Sequence, residues 1–598
     1  MCSILKHRGP DDEAYYRNKN VCIGMTRLAV IDLRKGLYPI ENEDESLHLI
    51  YNGEIYNFAQ LTSELAARGH IFTSLTDGEV IVHGYEQWRC DCLKKFNGMW
   101  AFALWDANEE KLVLGRDHFG IKPLYYYLTE NLLAFASEIR ALLSLPFIER
   151  FPNERAIYDY LVDTHVDHAE DTFFDGIYRL MPGHYATVTP DGFLEKTQYW
   201  RMPSISEETD CELEEASEQV RGLFIDAVRL RLISDVPVGS CVSGGLDSSS
   251  IVSVIARLED EIKKSIGRNL QGFSAWFPGD PLDESCFAKI VAEATATDIH
   301  AVYPSASEFW LDLWELIRTQ EEPFTSTSIY ASWKVMQSAK AHGVTVLLDG
   351  QGGDEVFGGY LEYFKPYVAD LLRRRKILAA IKETLLSLDL TAPLIPLLLT
   401  YRSKINRIIT DYLNAEFSAK FGKSSDRLRI DSSSTLAQML WNDITRFKLP
   451  ALLRYEDKNS MHFSIETRLP FLDPRLVEYV ASLPIDFKIQ NGWTKSVFRK
   501  AMRAILPREV ALRRSKIGFE TPQQRWFLEE LADRVEDLLS SDMRVCKYVN
   551  HEAILALFRT ARLKNKISRW DADLIWRCMN LELWLREFIP QHNDTKDS

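Results

Sequence analysis

Hydrophobic and polar positions follow two different patterns along the chain. Up to about residue 190, short apolar runs with β-rich composition alternate with turns, and helical periodicity appears at residues 58–68 and 79–87. The apolar runs predict strands at residues 21–25, 47–51, 100–105, 111–115 and 134–137. This mixed order is typical of layered α+β domains, so we predict an α+β fold for this part of the chain.

A polar and acidic segment at residues 203–214 is interpreted as a linker, and beyond it strands and helices alternate regularly. We predict helices at residues 213–232, 251–258, 284–294 and 329–341. Apolar strands are predicted at residues 236–242, 270–277, 300–303 and 344–348. Such alternation indicates an α/β domain with a parallel sheet, followed from about residue 365 by a mostly helical part. The predicted domains are residues 1–200 and 211–598.

Composition and charge narrow the class of protein. The 598 residues are 46% hydrophobic and 26% charged, as in ordinary globular proteins, and the formal net charge is 71 − 86 = −15. An acidic chain of this kind argues against a general nucleic-acid binder. We see neither a signal peptide nor an apolar run of about 20 residues, so we expect no membrane span and a cytoplasmic location.

The clearest candidate chemistry is Ser243-Gly-Gly-Leu-Asp-Ser-Ser249, which lies between an apolar strand and a predicted helix. Glycines let the backbone approach an anion, and free N–H groups at a helix N-terminus attract phosphate. The loop is therefore suited to the pyrophosphate end of ATP, and Asp247 offers an oxygen ligand for Mg²⁺. It is similar to the loop of ATP pyrophosphatases, which cleave between the α and β phosphates.

A second motif follows the predicted strand at 344–348. The segment Asp349-Gly-Gln-Gly-Gly-Asp-Glu-Val-Phe-Gly-Gly-Tyr360 is rich in glycines and carboxylates. Open α/β sheets bind ligands at the carboxyl ends of their strands, so this loop is a candidate for holding Mg²⁺ or an amine. The segments at residues 452–461, 466–473 and 492–499 are also charged, and taken alone they indicate ordinary helices with solvated charges.

Together these segments resemble the glutamine-dependent asparagine synthetases, with matching motifs from His7 to about Trp526. The resemblance implies an ATP-pyrophosphatase-type domain whose nucleotide contacts are Val242, Ser243, Gly244, Gly245, Asp247, Ser248, Ala275, Asp349 and Gly350. It implies that Lys495 steadies the adenylation transition state and that Asp247 and Asp354 hold Mg²⁺ with the pyrophosphate. Many relatives carry Ser-Gly-Glu-Gly where this chain has Asp349-Gly-Gln-Gly352, so Gln351 stands at the amine-handling position without its carboxylate.

Five motifs in the first 125 residues stand in the order found in class II glutamine amidotransferase domains. They are His7-Arg-Gly-Pro-Asp-Asp12, Arg27-Leu-Ala-Val-Ile-Asp32, Tyr51-Asn-Gly-Glu-Ile-Tyr-Asn57, Thr76-Asp-Gly-Glu-Val-Ile81 and Arg116-Asp-His-Phe-Gly-Ile-Lys-Pro-Leu-Tyr125. The resemblance implies a sandwich of two sheets between helix layers, as in Ntn hydrolases. It also implies that Arg27 binds the carboxylate of glutamine and Asp77 its ammonium group, with further contacts at Val30 and Glu54. Asn52 and Gly53 would form the oxyanion hole.

The family nucleophile is an N-terminal cysteine whose own α-amine acts as the base. After removal of Met1, Cys2 would be N-terminal, which makes it a candidate. The family places a few dozen residues between that cysteine and His-Arg-Gly-Pro, whereas Cys2 lies close to His7. We therefore interpret residues 1–6 as the end of the helix that precedes this motif, and expect a chain that lacks the nucleophile strand and does not hydrolyse glutamine.

The expected reaction is ATP-dependent amidation of aspartate to asparagine through β-aspartyl-AMP, with nitrogen from glutamine or ammonia. One alternative is the same chemistry on another acid, such as a cell-surface sugar acid or a peptide or β-lactam precursor, and another is a non-catalytic relative. The expected partners are these small molecules, and a homodimer is the one assembly considered. No metal site is predicted elsewhere, because Cys90-x-Cys92 is isolated and His83, His300 and His342 stand singly.

Overall fold

The computed structural model describes residues 1–190, 192, 194–205, 211–258, 269–392, 407–421, 434–514 and 520–590. The strands in these residues, in chain order, are β1 (Asp12–Arg17), β2 (Cys22–Arg27), β3 (Ile40–Glu41), β4 (Leu47–Ile55), β5 (Gly98–Asp106), β6 (Lys111–Arg116), β7 (Tyr125–Leu128), β8 (Leu133–Ala136), β9 (Ile177–Arg179), β10 (His184–Val188), β11 (Leu194–Gln198), β12 (Val238–Cys241), β13 (Gln271–Ala275), β14 (Asp298–Val302), β15 (Val346–Leu348) and β16 (Glu466–Arg468).

The α-helices fall into two groups, few in the first 200 residues and many after them. Those of the described residues are Cys2–Leu5, Phe58–Ala66, Glu79–Trp88, Ile139–Leu143, Glu154–Asp163, Leu213–Leu230, Leu246–Arg257, Ser285–Thr295, Ala306–Gln320, Ile329–Ala341, Gly353–Phe357, Phe364–Arg373, Ile377–Thr391, Ala415–Phe421, Leu436–Asn442, Leu449–His462, Pro474–Ser482, Ser496–Met502, Arg508–Ala511, Gln523–Leu528, Ala532–Ser540, His551–Leu563 and Arg569–Phe588. None of the helices in the described ranges is long and apolar enough to cross a membrane.

The N-terminal part is a layered sandwich, as predicted. Six strands form an antiparallel sheet in the order β11-β10-β6-β5-β4-β3, and two smaller sheets have the orders β1-β2 and β8-β7-β9. Alternate residues of β5 serve the two faces of the large sheet. Trp100 and Phe102 pack toward the helices Phe58–Ala66 and Glu79–Trp88, whereas Ala101 and Ala103 pack toward the smaller sheets. The order of layers is therefore helix, sheet, sheet, helix.

The second sheet is parallel throughout, with the strand order β14-β13-β12-β15-β16. The helices Leu213–Leu230 and Leu246–Arg257 cover one face, and Ile329–Ala341 covers the other. The α/β prediction is confirmed, but β16 was not predicted because its three residues, Glu466 to Arg468, are polar. All three are buried in the structure.

Helix Leu449–His462 lies between the two halves of the molecule, and its charges are buried rather than solvated. Asp457 accepts two hydrogen bonds from Arg8, at 2.8 and 3.0 Å, and Arg454 donates to Asp167 at 2.7 Å. Buried charges are tolerated only when paired in this way. The interpretation of this segment as a solvated helix is therefore wrong, because Arg454 and Asp457 are buried and both have charged partners in the N-terminal part.

Candidate active sites

The Ser243–Ser249 loop joins β12 to the helix Leu246–Arg257, as the sequence predicted. Val242 continues the strand pairing, and its N–H donates to the Phe273 carbonyl at 2.8 Å. Gly244 has φ +76°, and a Cβ there would lie 2.5 Å from the Ala288 nitrogen, so only glycine fits. The chain thus turns sharply and presents the free N–H groups of a helix N-terminus to the space above the sheet.

Lys495 lies at the centre of this space. Its Nζ is 2.6 Å from both carboxylate oxygens of Asp247 and 2.7 Å from Asp354 Oδ1. Burial lowers the pKa of Lys495, while the Asp247 carboxylate acts in the opposite direction. One ammonium thus faces two carboxylates that come from separate segments, the Ser243–Ser249 loop and the helix Gly353–Phe357. This arrangement leaves an excess of negative charge that a further cation can balance.

A pair of buried carboxyl groups lies beside this centre. Burial raises the pKa of Asp349 and raises that of Glu456 well above its ordinary value, and the two groups share a hydrogen bond. Gln351 lies beside Glu456 and partly offsets the rise in its pKa. Burial thus favours the protonated form of these two carboxyl groups. Glu456 was missed as a site residue because it stands within a run of charged residues that resembles a solvated helix.

These residues line a single cavity of about 490 Å³. Of the predicted nucleotide, metal and catalytic residues, the lining includes Val242, Ser243, Gly245, Asp247, Ser248, Asp349, Gly350, Gln351, Asp354 and Lys495. Gly244 and Ala275 do not line it; Phe273, two residues earlier on β13 than Ala275, does. Arg499 also lines the cavity, and burial lowers its pKa to about 10. A nearby arginine was visible in the sequence, but no pattern there indicated its burial.

A second cavity, of about 590 Å³, lies in the N-terminal part. Its lining brings together all of the predicted glutamine-site residues, Arg27, Val30, Asn52, Gly53, Glu54 and Asp77, and also includes Cys2. The Asn52 side-chain nitrogen is buried without a hydrogen-bond partner, so a donor is available. Gly53 has φ +148°, and a Cβ there would lie 2.0 Å from the Met99 carbonyl oxygen. The close approach of β4 to β5 therefore requires glycine at this position.

Charges of both signs face this second cavity. The Arg27 guanidinium donates to the carbonyls of Ile31, at 3.2 Å, and Arg34, at 2.5 Å. Burial raises the pKa of Asp77 to about 6, although the Ile55 N–H donates to it at 2.7 Å. Burial also raises the pKa of Glu54, whose carboxylate lies 3.2 Å from Arg468 of β16. The edge strand β16 thus pairs Arg468 with a carboxylate of the other half's cavity, and its Glu466 lines that cavity.

Cys2 lies in the short helix Cys2–Leu5, close to β2. A Cβ built on Gly24 would be 3.0 Å from its sulfur. Burial raises the pKa of the Cys2 thiol, and the Glu13 carboxylate raises it further. A thiol in such surroundings holds its proton more tightly than a free cysteine, which disfavours the nucleophilic thiolate.

Two family models match the chain. The model described as asparagine synthase matches residues 219–586, and the model described as glutamine amidotransferase domain matches residues 1–200. Glutamine-hydrolyzing asparagine synthetase 1 of Bacillus subtilis is 30% identical over 99% of this chain and 94% of its own length. Glutamine-hydrolyzing asparagine synthetase 3 of the same organism is 31% identical, over 86% of this chain and 82% of its own length. Amidase chry2 of Gibberella zeae is 27% identical, over 90% and 86%.

These matches extend over both cavities and over the segments that position them. The asparagine synthase model alone matches more than half of the residues, including the loop at 243–249 and Lys495. The chain therefore belongs to the asparagine synthase family and is an ATP-dependent, amide-forming carbon–nitrogen ligase with a glutamine amidotransferase domain.

Proposed function

We propose that this enzyme converts aspartate to asparagine through β-aspartyl-AMP. The observation that carries the proposal is the position of Lys495, whose ammonium meets Asp247 and Asp354 in the same cavity as the Ser243–Ser249 loop. An amidation needs an activated acyl group, since a free carboxylate is a poor acceptor for ammonia. A phosphate-binding loop beside a buried cation is suited to that activation.

In the proposed first step, a β-carboxylate oxygen of aspartate attacks the α-phosphorus of ATP. The bond from that phosphorus to the bridging oxygen breaks, and pyrophosphate leaves. The N-terminus of the helix Leu246–Arg257 and the hydroxyls of Ser243 and Ser248 would hold the pyrophosphate, whereas Val242 and Gly350 would contact the nucleotide. Ala275 does not line the cavity, so we assign the nucleotide contact expected at Ala275 to Phe273, which does line it.

Mg²⁺ fits the donor set of this site. Asp247 and Asp354 both place carboxylate oxygens 2.6–2.7 Å from Lys495 Nζ, and oxygen ligands are those that Mg²⁺ prefers. These two residues would hold the ion, which would offset the negative charge of the phosphates. Lys495 would then turn toward the α-phosphoryl oxygens, where negative charge increases during the first step.

In the proposed second step, the ammonia nitrogen attacks the acyl carbon, and AMP leaves with the former carboxylate oxygen. The amine must lose a proton as the amide forms. The carboxyl pair of Asp349 and Glu456, with Gln351 beside it, lines the same cavity, and we assign a carboxylate of this pair to bind the ammonia and to accept that proton. Gln351 supplies an amide where many relatives have a carboxylate, so Glu456 provides the acidic function here.

The cavity in the N-terminal part is proposed as the glutamine site, and residues 1–200 and 211–598 as the two domains. Glutamine carries one carboxylate and one ammonium group, and Arg27 and Asp77 offer the opposite charges. Val30 and Glu54 would add contacts, and Asn52 and Gly53 would provide donors to an oxyanion. Met461 lines this cavity and Glu456 the other, so helix Leu449–His462 connects them and marks a route for ammonia.

We expect the Cys2→Ala variant to form as much product as the unmodified chain, both with ammonia and with whatever activity glutamine supports. The reason is that burial and Glu13 raise the pKa of this thiol, which suppresses the thiolate. Product formation is measured with each donor for the variant and the unmodified chain. Loss of the glutamine-dependent reaction alone, with the ammonia-dependent reaction intact, would identify Cys2 as the nucleophile and contradict this part of the proposal.

The proposed function is tested by aspartate-dependent formation of AMP and asparagine with saturating ammonia. We expect one AMP per asparagine, and no AMP when aspartate is omitted, because activation precedes amide formation. The same assay is run with glutamate, sugar acids and peptide carboxylates. A different acid that supports AMP formation when aspartate does not would refute aspartate as the substrate while keeping the adenylation chemistry. If none of these acids supports AMP formation, both aspartate as the substrate and the adenylation chemistry are refuted.

A further inference from the structure

Four side chains that belong to neither cavity converge on the surface of the N-terminal domain. Glu43 follows β3, His70 follows the helix Phe58–Ala66, and His83 and Glu86 lie one turn apart on the helix Glu79–Trp88. We call them the His70–His83 cluster. One ligand atom from each residue lies within 4.8 Å of the other three. No sequence pattern indicates this cluster, because His83 has no histidine or cysteine at a spacing recognised for metal ligands.

The separations in the cluster suit four-coordinate binding. His70 Nδ1 is 3.3 Å from Glu86 Oε2, and His83 Nδ1 is 3.6 Å from Glu43 Oε2 and 3.7 Å from Glu86 Oε2. A tetrahedral zinc ion with bonds of about 2.0–2.1 Å has ligand atoms about 3.3 Å apart. The two contacts of His83 exceed the length of a good hydrogen bond, so the carboxylates do not satisfy this nitrogen.

His83 provides the observation that points to a ligand. Its side chain is 2% exposed, and its Nδ1 is buried without a hydrogen-bond partner. Buried polar atoms are nearly always satisfied, and an exception calls for an explanation such as an ion. Phe72 packs edge-on against this ring, with the two ring centroids 4.6 Å apart, and fixes the plane of the imidazole.

Outer contacts orient the other ligands. His70 Nε2 lies 3.3 Å from Gln87 Oε1, which places the proton on that nitrogen and leaves the Nδ1 lone pair directed at the cluster. Glu43 accepts the Ile71 N–H at 2.8 Å through Oε1, so Oε2 remains for the ion. Hydrogen bonds to the outer atoms of metal ligands are the usual support of such sites.

We propose that Glu43, His70, His83 and Glu86 bind one Zn²⁺ ion as a structural site. Two imidazoles and two carboxylates neutralise the divalent charge and fill a tetrahedral shell, which leaves no position for a substrate. The Glu43 and Glu86 side chains are 33% and 38% exposed, so the ion can enter from solvent. The bound ion joins the β3–β4 connection, the end of one helix and the middle of the next.

The test is zinc binding by the whole chain after dialysis against a chelator. Calorimetric titration with ZnCl₂ should give one site per chain with micromolar or stronger affinity. His83→Gln should weaken it by at least about tenfold, the lower range for loss of a supporting group at a metal site. His342→Gln is the matched control, because His342 and His300 form another histidine pair, 3.8 Å apart, without a place in the cluster. The His342→Gln variant should bind zinc as tightly as the unmodified chain.

Glu86→Gln is a second test that holds even where substitution of the buried His83 disrupts folding, since the Glu86 side chain is partly exposed. It should also weaken zinc binding, and both variants should lose the rise in melting temperature that zinc gives the unmodified chain. Co²⁺ in place of Zn²⁺ should show the intense visible absorption of a tetrahedral ion. Absence of zinc binding by the unmodified chain, equal binding by the Glu86→Gln variant, or loss of binding in the His342→Gln control would each overturn the proposal. None of these outcomes bears on aspartate amidation.

Discussion

Lys495→Ala is expected to reduce aspartate-dependent pyrophosphate release by about 10³-fold, the upper range for removing one donor aimed at a developing charge. The ammonium of Lys495 is buried, and it meets Asp247 and Asp354 at 2.6–2.7 Å. Alanine at this position removes the positive charge that joins the Ser243–Ser249 loop to the helix Gly353–Phe357. Isotope exchange between ATP and pyrophosphate measures the first step without the second.

Lys500→Ala is the matched control for this variant. Lys500 lies on the helix Ser496–Met502 that follows Lys495, and its partly exposed side chain pairs with Glu214 at 2.5 Å. Surface pairs of this kind contribute little to stability. We expect its exchange rate to equal that of the unmodified enzyme. Exchange that persists in the Lys495→Ala variant would show that the lysine does not serve adenylation.

Gly359→Ala is the second substitution with a large expected effect, a loss of at least about 10²-fold in the same exchange reaction. A Cβ on Gly359 would lie 1.9 Å from Asp354 Oδ1 and 2.2 Å from Lys495 Cε, far inside contact distance. Both charged groups must therefore move, and a displacement of about 1 Å in a reacting geometry can cost this much. The substitution removes no chemical group, so the loss would report position alone.

Gly222→Ala controls for the added methyl group. Gly222 lies within the helix Leu213–Leu230, and a Cβ there meets nothing within 4 Å. Alanine favours a helix over glycine by about 1 kcal/mol, so this variant should be as active as the unmodified enzyme and slightly more stable. Full exchange activity in the Gly359→Ala variant would mean that the distances around Lys495 do not govern adenylation.

Much of the fold could be predicted because its elements follow simple periodicities. The helix predicted at residues 329–341 is found at Ile329–Ala341, and the strand predicted at 111–115 is found at Lys111–Arg116. In the helix the buried residues include Ile329, Trp333, Met336 and Ala339, three or four positions apart, whereas the strand is an apolar run buried continuously at residues 112–115. The site loops could also be located, since the glycines of Ser243–Ser249 mark a sharp turn between a strand and a helix.

The buried charges could not be predicted from local pattern. Glu456 and Asp457 stand in a helix whose polar residues are buried on all sides, and β16 consists of polar residues. Their burial depends on partners distant in the chain, such as Arg8 for Asp457. The periodicity of a segment indicates which of its residues face the core and which face solvent. It contains no information about the distant residue that neutralises a buried charge. The same reason hides His83, whose neighbours come from three segments.

The salt bridge between Arg468 and Glu54 limits how the two halves of such an enzyme can evolve. Arg468 is 0% exposed and Glu54 is 4% exposed, and Arg468 belongs to the parallel sheet whereas Glu54 lines the cavity of the N-terminal part. If recombination replaced only one half with that of a paralogue lacking the matching residue, the remaining charge would be buried without a partner. The cost would be about 3–5 kcal/mol. Recombinants that survive should therefore inherit both residues together, or neither.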